Sequence, residues 1–146
     1  MKKFLTVIAV LSALALTGCG KADSAASIGD ITITQAQAQS KINELLAERA
    51  KIDTAGTQFE TGNALNRSQL RFTIITTVFD EIAKELKLPV SATELENSRA
   101  VIYSQIGGEA ELSKSLVAAQ IAPSNFDRYL RATIISDKLS GALAMA

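Results

Sequence analysis

Apolar positions along this chain fall into three successive patterns. From Phe4 to Leu16 they are almost unbroken, interrupted only by Thr6 and Ser12. From Ile28 to Ile33 they alternate with polar positions around Gly29-Asp30, which predicts a short extended or hairpin segment. Beyond Thr34 they recur every three or four residues, the period of helices packed on one side.

The helical part divides into five segments. Thr34 with Gln37 forms a capping-box pattern that opens helix 1, about residues 35–50, whose periodic positions are Ile42, Leu45, Leu46 and Arg49. Residues 51–66 are weakly patterned, with Gly56, Gly62, Asn63 and the isolated apolar residues Phe59 and Leu65. They read equally as a long loop or as a further turn of helix 1 with a shorter connection. Helix 2, about 67–87, carries Leu70, Ile74, Ile75, Val78, Phe79, Ile82 and Leu86 and stops at Leu88-Pro89-Val90. Ser91 with Glu94 opens helix 3, whose buried face is Leu95, Ile102 and Ile106 and whose end is Gly107-Gly108. Helix 4 covers about 109–120, with Leu112, Leu116, Val117 and Ala119 as its apolar positions. Pro123 suits the first position of helix 5, which extends to about Leu143. The expected fold class is all-α: about five helices in an orthogonal or open bundle, preceded by a short extended segment.

The first apolar run is too short for a membrane-spanning helix, which needs about 20 residues. With Lys2-Lys3 before it, it fits the apolar region of a secretory signal. It ends in Leu16-Thr17-Gly18-Cys19, which resembles a bacterial lipobox. The resemblance implies cleavage between Gly18 and Cys19. Cys19, the sole cysteine, would then carry a diacylglyceryl thioether and an amide-linked acyl chain such as palmitate. Two or more chains anchor stably to a lipid bilayer, since each buried methylene contributes about 0.8 kcal/mol. The expected organisation is a signal peptide at 1–18, a lipidated Cys19 with a small, polar flexible tether to residue 27, and a helical domain over 28–146. The expected location is outside the cytoplasm, held at the cell membrane. Without residues 1–18 the chain has 13 positive and 15 negative side chains, a net of −2, so lipid and not surface charge would hold it there.

Composition narrows the chemistry. The 146 residues are 47% apolar and 21% charged, enough for a packed core. Lys plus Arg balances Asp plus Glu at 15 each, which gives no reason to expect nucleic acid. There is no His, so Ser-His and Cys-His nucleophile pairs and imidazole metal ligands are excluded. One Cys permits no internal disulfide. Glu94 with Glu96 and Glu109 with Glu111 are two apart on helices and diverge, as cap or solvated residues do. Asp127 and Arg131 have the spacing of an ordinary surface ion pair. Tyr103 and Tyr129 read as packing residues. No cofactor, metal or catalytic residue is expected.

The order of elements resembles the SurA N-terminal family of periplasmic chaperones and PrsA-type foldase lipoproteins. The resemblance rests on residues 27–34 (SIGDITIT), on residues 83–91 (AKELKLPVS), and on the turn Ile121-Ala122-Pro123-Ser124 within 116–127, and covers roughly residues 27–140. Gly29-Asp30 replaces the Asn-Gly usual in that opening. The family often adds a parvulin isomerase domain with His residues. No such domain is expected within 146 residues, and prolyl-isomerase activity is not implied.

The resemblance implies reversible binding of unfolded or newly exported polypeptides without catalysis. Apolar surface suffices for that, at about 25 cal/mol per Å² covered. Two helices are candidates to supply it. Helix 2 has an apolar arc of roughly 200° at 100° per residue, so it is either a central core helix or one that leaves Phe72 and Phe79 lining a groove. Helix 5 has two stripes. Phe126, Leu130 and Ile134 form the first; Ile135, Leu139 and Leu143 form the second, which either packs internally or docks a client or partner. The alternative function is an interaction lipoprotein that holds one specific envelope partner.

Overall fold

A computed structural model describes residues 23–53 and 56–144, with side chains described as far as Gly141. Gly18, Cys19 and the side chain of Leu143 lie outside the described residues. The chain is all-α with a two-stranded extended opening. Strands β1 (Ser24–Ile28) and β2 (Ile31–Thr34) precede helices α1 (Gln35–Arg49), α2 (Gly62–Glu85), α3 (Ala92–Ile106), α4 (Glu109–Ala118) and α5 (Phe126–Ala144).

The opening is a hairpin. Strand β1 pairs antiparallel with β2, Ile28 opposite Ile31, with an irregularity between Ser24 and Ala26. This corrects the tether and the domain boundary: residues 24–27 are strand. Small polar side chains read as linker, but their backbone finds partners in β2, and the Gln35 N–H donates to the Asp23 carbonyl. From Cys19 to Asp23 only four residues remain, a reach of at most about 14 Å.

Local caps set several helix ends. Thr34 accepts from the Gln37 N–H at 3.1 Å, while the Gln37 side chain accepts from the Thr34 N–H. Ser91 and Glu94 make the same reciprocal pair at the start of α3. Gly107 ends α3 with φ +94°, a conformation that costs glycine little. Pro123 opens a 3₁₀ turn, Pro123–Asn125, that runs into α5.

The stretch 51–66 takes neither of its two expected forms. Helix α1 stops at Arg49, and α2 begins five residues early, at Gly62. Leu65 is the cause: it is buried in a cluster with Ile42 and Leu45 of α1, Val117 of α4 and Ala122, against which Ile52 and Phe59 also pack. Arg49 straps the connection in place. Its guanidinium lies 4.4 Å from the Phe59 ring centre and donates to the Glu60 carbonyl and the Gln120 side chain. Burial holds its pKa below the ordinary arginine value.

A second cluster joins Leu112 and Leu116 of α4 to Phe126 and Leu130 of α5, with Leu95, Ile102 and Ile106 of α3 packed against it. The ten-residue α4 thus contributes to both clusters, and α5 packs against α2 and α3. Gln120, just past α4, has φ +63°. Its backbone carbonyl accepts from Gln69 at 2.7 Å and its side chain from Arg49, and these bonds hold the strained residue.

Helix α2 departs most from its pattern. Its buried residues are Leu65, Gln69, Thr73 and Thr76, not the apolar arc. On a helical wheel that buried face lies roughly 160° from the centre of the arc. Leu70, Ile74, Val78 and Ile82 are half-buried, and Ile75 and Leu86 are 42% and 57% exposed.

Candidate functional site

The grooves form along α5 just past the part that the α3–α4 cluster covers. Phe126 and Leu130, in its first turns, are covered by the α3–α4 cluster. One and two turns further on, the same side of α5 presents Thr133 and Asp137, both exposed. They form a ridge with an apolar groove on each side.

The first groove, about 290 Å³, lies between α2 and α5. Phe72, Ile75 and Phe79 line it from α2, facing Tyr129 and Ala132 of α5. Phe72 and Phe79 are half-buried, while Ile75 and Tyr129 are 42% and 40% exposed. The second groove, about 330 Å³, lies between α3 and α5 and is lined by Val101, Ile102, Leu130 and Ile134. Val101 is 52% exposed. Thr133 and Asp137 line both grooves, and Asp137 is the one charged side chain in either lining.

Polar contacts fix the frame around them. On the α2 side, Arg128 of α5 donates to the hydroxyls of Thr76 and Thr77 at 2.6 and 2.8 Å. On the α3 side, Lys138 pairs with Glu94 at 2.6 Å, and Arg99 pairs with Asp127 and Glu96. The Lys138 bond, with those from Ser91, pulls the Glu94 pKa down to about 2. The bond to Asp127 raises that of Arg99.

These positions sort the expected site residues. Phe72 and Phe79 share one groove, as the groove alternative for helix 2 required. Ile135 is 1% exposed and lines neither groove, lying instead against the cleft at the end of α2, so it drops out as a docking residue of the grooves. The reason is that α5 packs against two neighbours, α2 and α3, and the start of its second stripe, at Ile135, is buried in that packing. Leu139 is half-buried and lines neither groove. The expected Asp127–Arg131 pair gives way to Asp127–Arg99 across helices, and Arg131 instead lines a cleft of about 480 Å³ at the end of α2 with Asp80, Lys84 and Lys87.

Ile75, Tyr129, Val101 and Asp137 were not singled out as site residues. Ile75 was visible as apolar but read as core. Tyr129, expected as a packing residue, instead stands 40% exposed in the first groove, while Val101 and Asp137 carry no local signal; the placing of α2 and α3 around α5 brings them together. Tyr103, by contrast, packs beside Phe126 with ring centres 6.3 Å apart.

Among the described residues, no group of three or more Cys, Asp or Glu could hold a metal ion, and no helix is long and apolar enough to cross a membrane. No family model, curated protein or solved structure matches the chain.

Proposed function

We propose that this protein is a membrane-anchored, chaperone-like lipoprotein that binds extended polypeptides reversibly and without catalysis. The observation that carries the reading is the pair of open apolar grooves flanking the Thr133–Asp137 ridge. Each is large enough for one or two apolar side chains. Both are shallow and uncharged apart from one carboxylate, which suits many clients held weakly. Binding of this sort draws on burial alone, at about 25 cal/mol per Å², and needs neither nucleotide nor metal.

The anchor half rests on the order of signals in the first nineteen residues: Lys2-Lys3, the apolar run, then Leu16-Thr17-Gly18-Cys19. The resemblance to the SurA N-terminal family supports the same activity through the order of its caps and turns. A tether of four residues before the hairpin would keep the grooves close to the bilayer, where exported chains emerge.

Two measurements test this. The purified chain, without ATP, should slow aggregation of a reduced, unfolded client at near-stoichiometric ratio. No effect across several unrelated clients would sink the binding half. Mass spectrometry of the protein from its native membrane should find an acylated Cys19 at the N-terminus, and an unmodified thiol there would sink the anchor half.

A further inference from the structure

We propose that the two grooves act as one site that prefers extended chains with a cationic side chain midway between two apolar ones, and that Asp137 makes the choice. The inference rests on the polypeptide-binding reading above and adds a specificity to it.

Three observations converge. First, the same two residues, Thr133 and Asp137, line both grooves, so a chain that fills both must cross them. Second, Asp137 is exposed, and among the described residues it makes no ion pair. Third, Lys138, next in sequence, and Arg99, on α3 beside the second groove, are engaged elsewhere: Lys138 with Glu94 and the Pro89 carbonyl, Arg99 with Glu96 and Asp127. A carboxylate left unpaired between two apolar seats complements a positive charge.

The geometry bounds the spacing. The ridge of one helix, at most about 10–12 Å across with its side chains, separates the grooves. In an extended chain, residues i, i+2 and i+4 point to one face, and i to i+4 spans roughly 13 Å. Apolar residues at i and i+4 therefore reach the two grooves together, and residue i+2 sits over the ridge. The matching pattern is apolar-x-Lys/Arg-x-apolar.

The test uses the full chain in nanodiscs of neutral phosphatidylcholine, so that lipid charge does not attract the peptides. Three fluorescent decapeptides carry Leu-Ser-X-Ser-Phe with X as Lys, Gln or Glu, and binding is read by anisotropy. The Lys peptide should bind about two- to fivefold tighter than the Gln peptide, the range of an exposed ion pair. The Glu peptide should bind weaker than both. In Asp137→Asn the ratio of Lys-peptide to Gln-peptide affinity should fall to about one. Raising salt to 1 M should shrink the advantage in the wild type. Equal binding of the Lys and Gln peptides, or an advantage that survives Asp137→Asn, overturns the specificity and leaves the groove reading standing. Failure of all three peptides to bind overturns both, as does a tight dimer in sedimentation whose interface the peptides cannot displace, since a second copy would then own the grooves. Asp137 is exposed, so the variant should keep its melting temperature, and thermal unfolding checks this.

Discussion

Ile75→Ser separates what the α2 groove contributes to stability from what it contributes to binding. Fully burying an isoleucine side chain is worth about 1.5–3 kcal/mol. Ile75 is 42% exposed in the free protein, so a client that covers the rest recovers about that fraction. That is about 0.6–1.3 kcal/mol of affinity, or a loss of about three- to eightfold in Kd on substitution. The part of Ile75 already covered contributes to folding, about 0.9–1.7 kcal/mol by the same reasoning. Val101→Ser probes the other groove in the same way. The two residues stand on different helices with α5 between them, so their effects on binding should add.

The assay is a titration of a labelled, reduced and alkylated client against wild type, each single variant and the double variant. Urea unfolding of the same four proteins accompanies it. The expected pattern is a several-fold loss for each variant and the product of the two for the double. If Ile75→Ser lowers stability as expected but leaves client Kd within a factor of 1.5, the groove is packing and nothing more. A double variant no weaker than either single one would show that clients use only one groove.

Three further outcomes follow from the packing. Leu45 is fully buried in the α1–α2–α4 cluster, so Leu45→Ala should cost about 3–5 kcal/mol, read by urea unfolding. Arg49→Met keeps the aliphatic stem but loses the bonds to Glu60 and Gln120; it should cost about 1.5–3 kcal/mol and speed amide exchange over residues 56–61. Glu94 has a folded pKa of about 2 against an ordinary 4.5, so it favours folding above pH 4.5, and that contribution is lost as pH falls towards 2. Acid titration followed by NMR should show the α3 start and Lys138 changing together with a midpoint near pH 2, and Glu94→Gln should remove the change.

Elements fixed by neighbours in sequence were legible, and those fixed by distant partners were not. The capping boxes at Thr34 and Ser91, the glycine stop at Gly107 and the turn at Pro123 are each complete within a few residues. Strand β1 was missed because Ser24-Ala25-Ala26-Ser27 has no strand composition of its own; its partner strand supplies the reason to extend. The early start of α2 was missed because Leu65 looks isolated until Ile42, Leu45 and Val117 surround it. Of the candidate site, Phe72 and Phe79 were legible from the wide arc of helix 2. Ile135 misled because a second stripe on a helix signals a second neighbour as readily as a free face.

The inversion of α2 links fold to function. A helix that buries Gln69, Thr73 and Thr76 must satisfy each of them, and this one does. Gln69 donates to the Gln120 carbonyl, Thr73 to the Gln69 carbonyl, and Thr76 to the carbonyls of Phe72 and Thr73 while accepting from Arg128. Buried polar groups so paired cost little; the Gln69 bond ties α2 to the turn after α4, and the Arg128 bonds tie it to α5. Rotating the helix to bury its apolar arc would break the Gln69 and Arg128 bonds and strand Arg128 against aliphatic side chains. The polar contacts thus determine which face of α2 turns inward. The apolar residues left on its flank then form one wall of a groove in place of a core. Surface of this kind is uncommon on an isolated protein, and under the proposed function the binding of extended chains would give it a use.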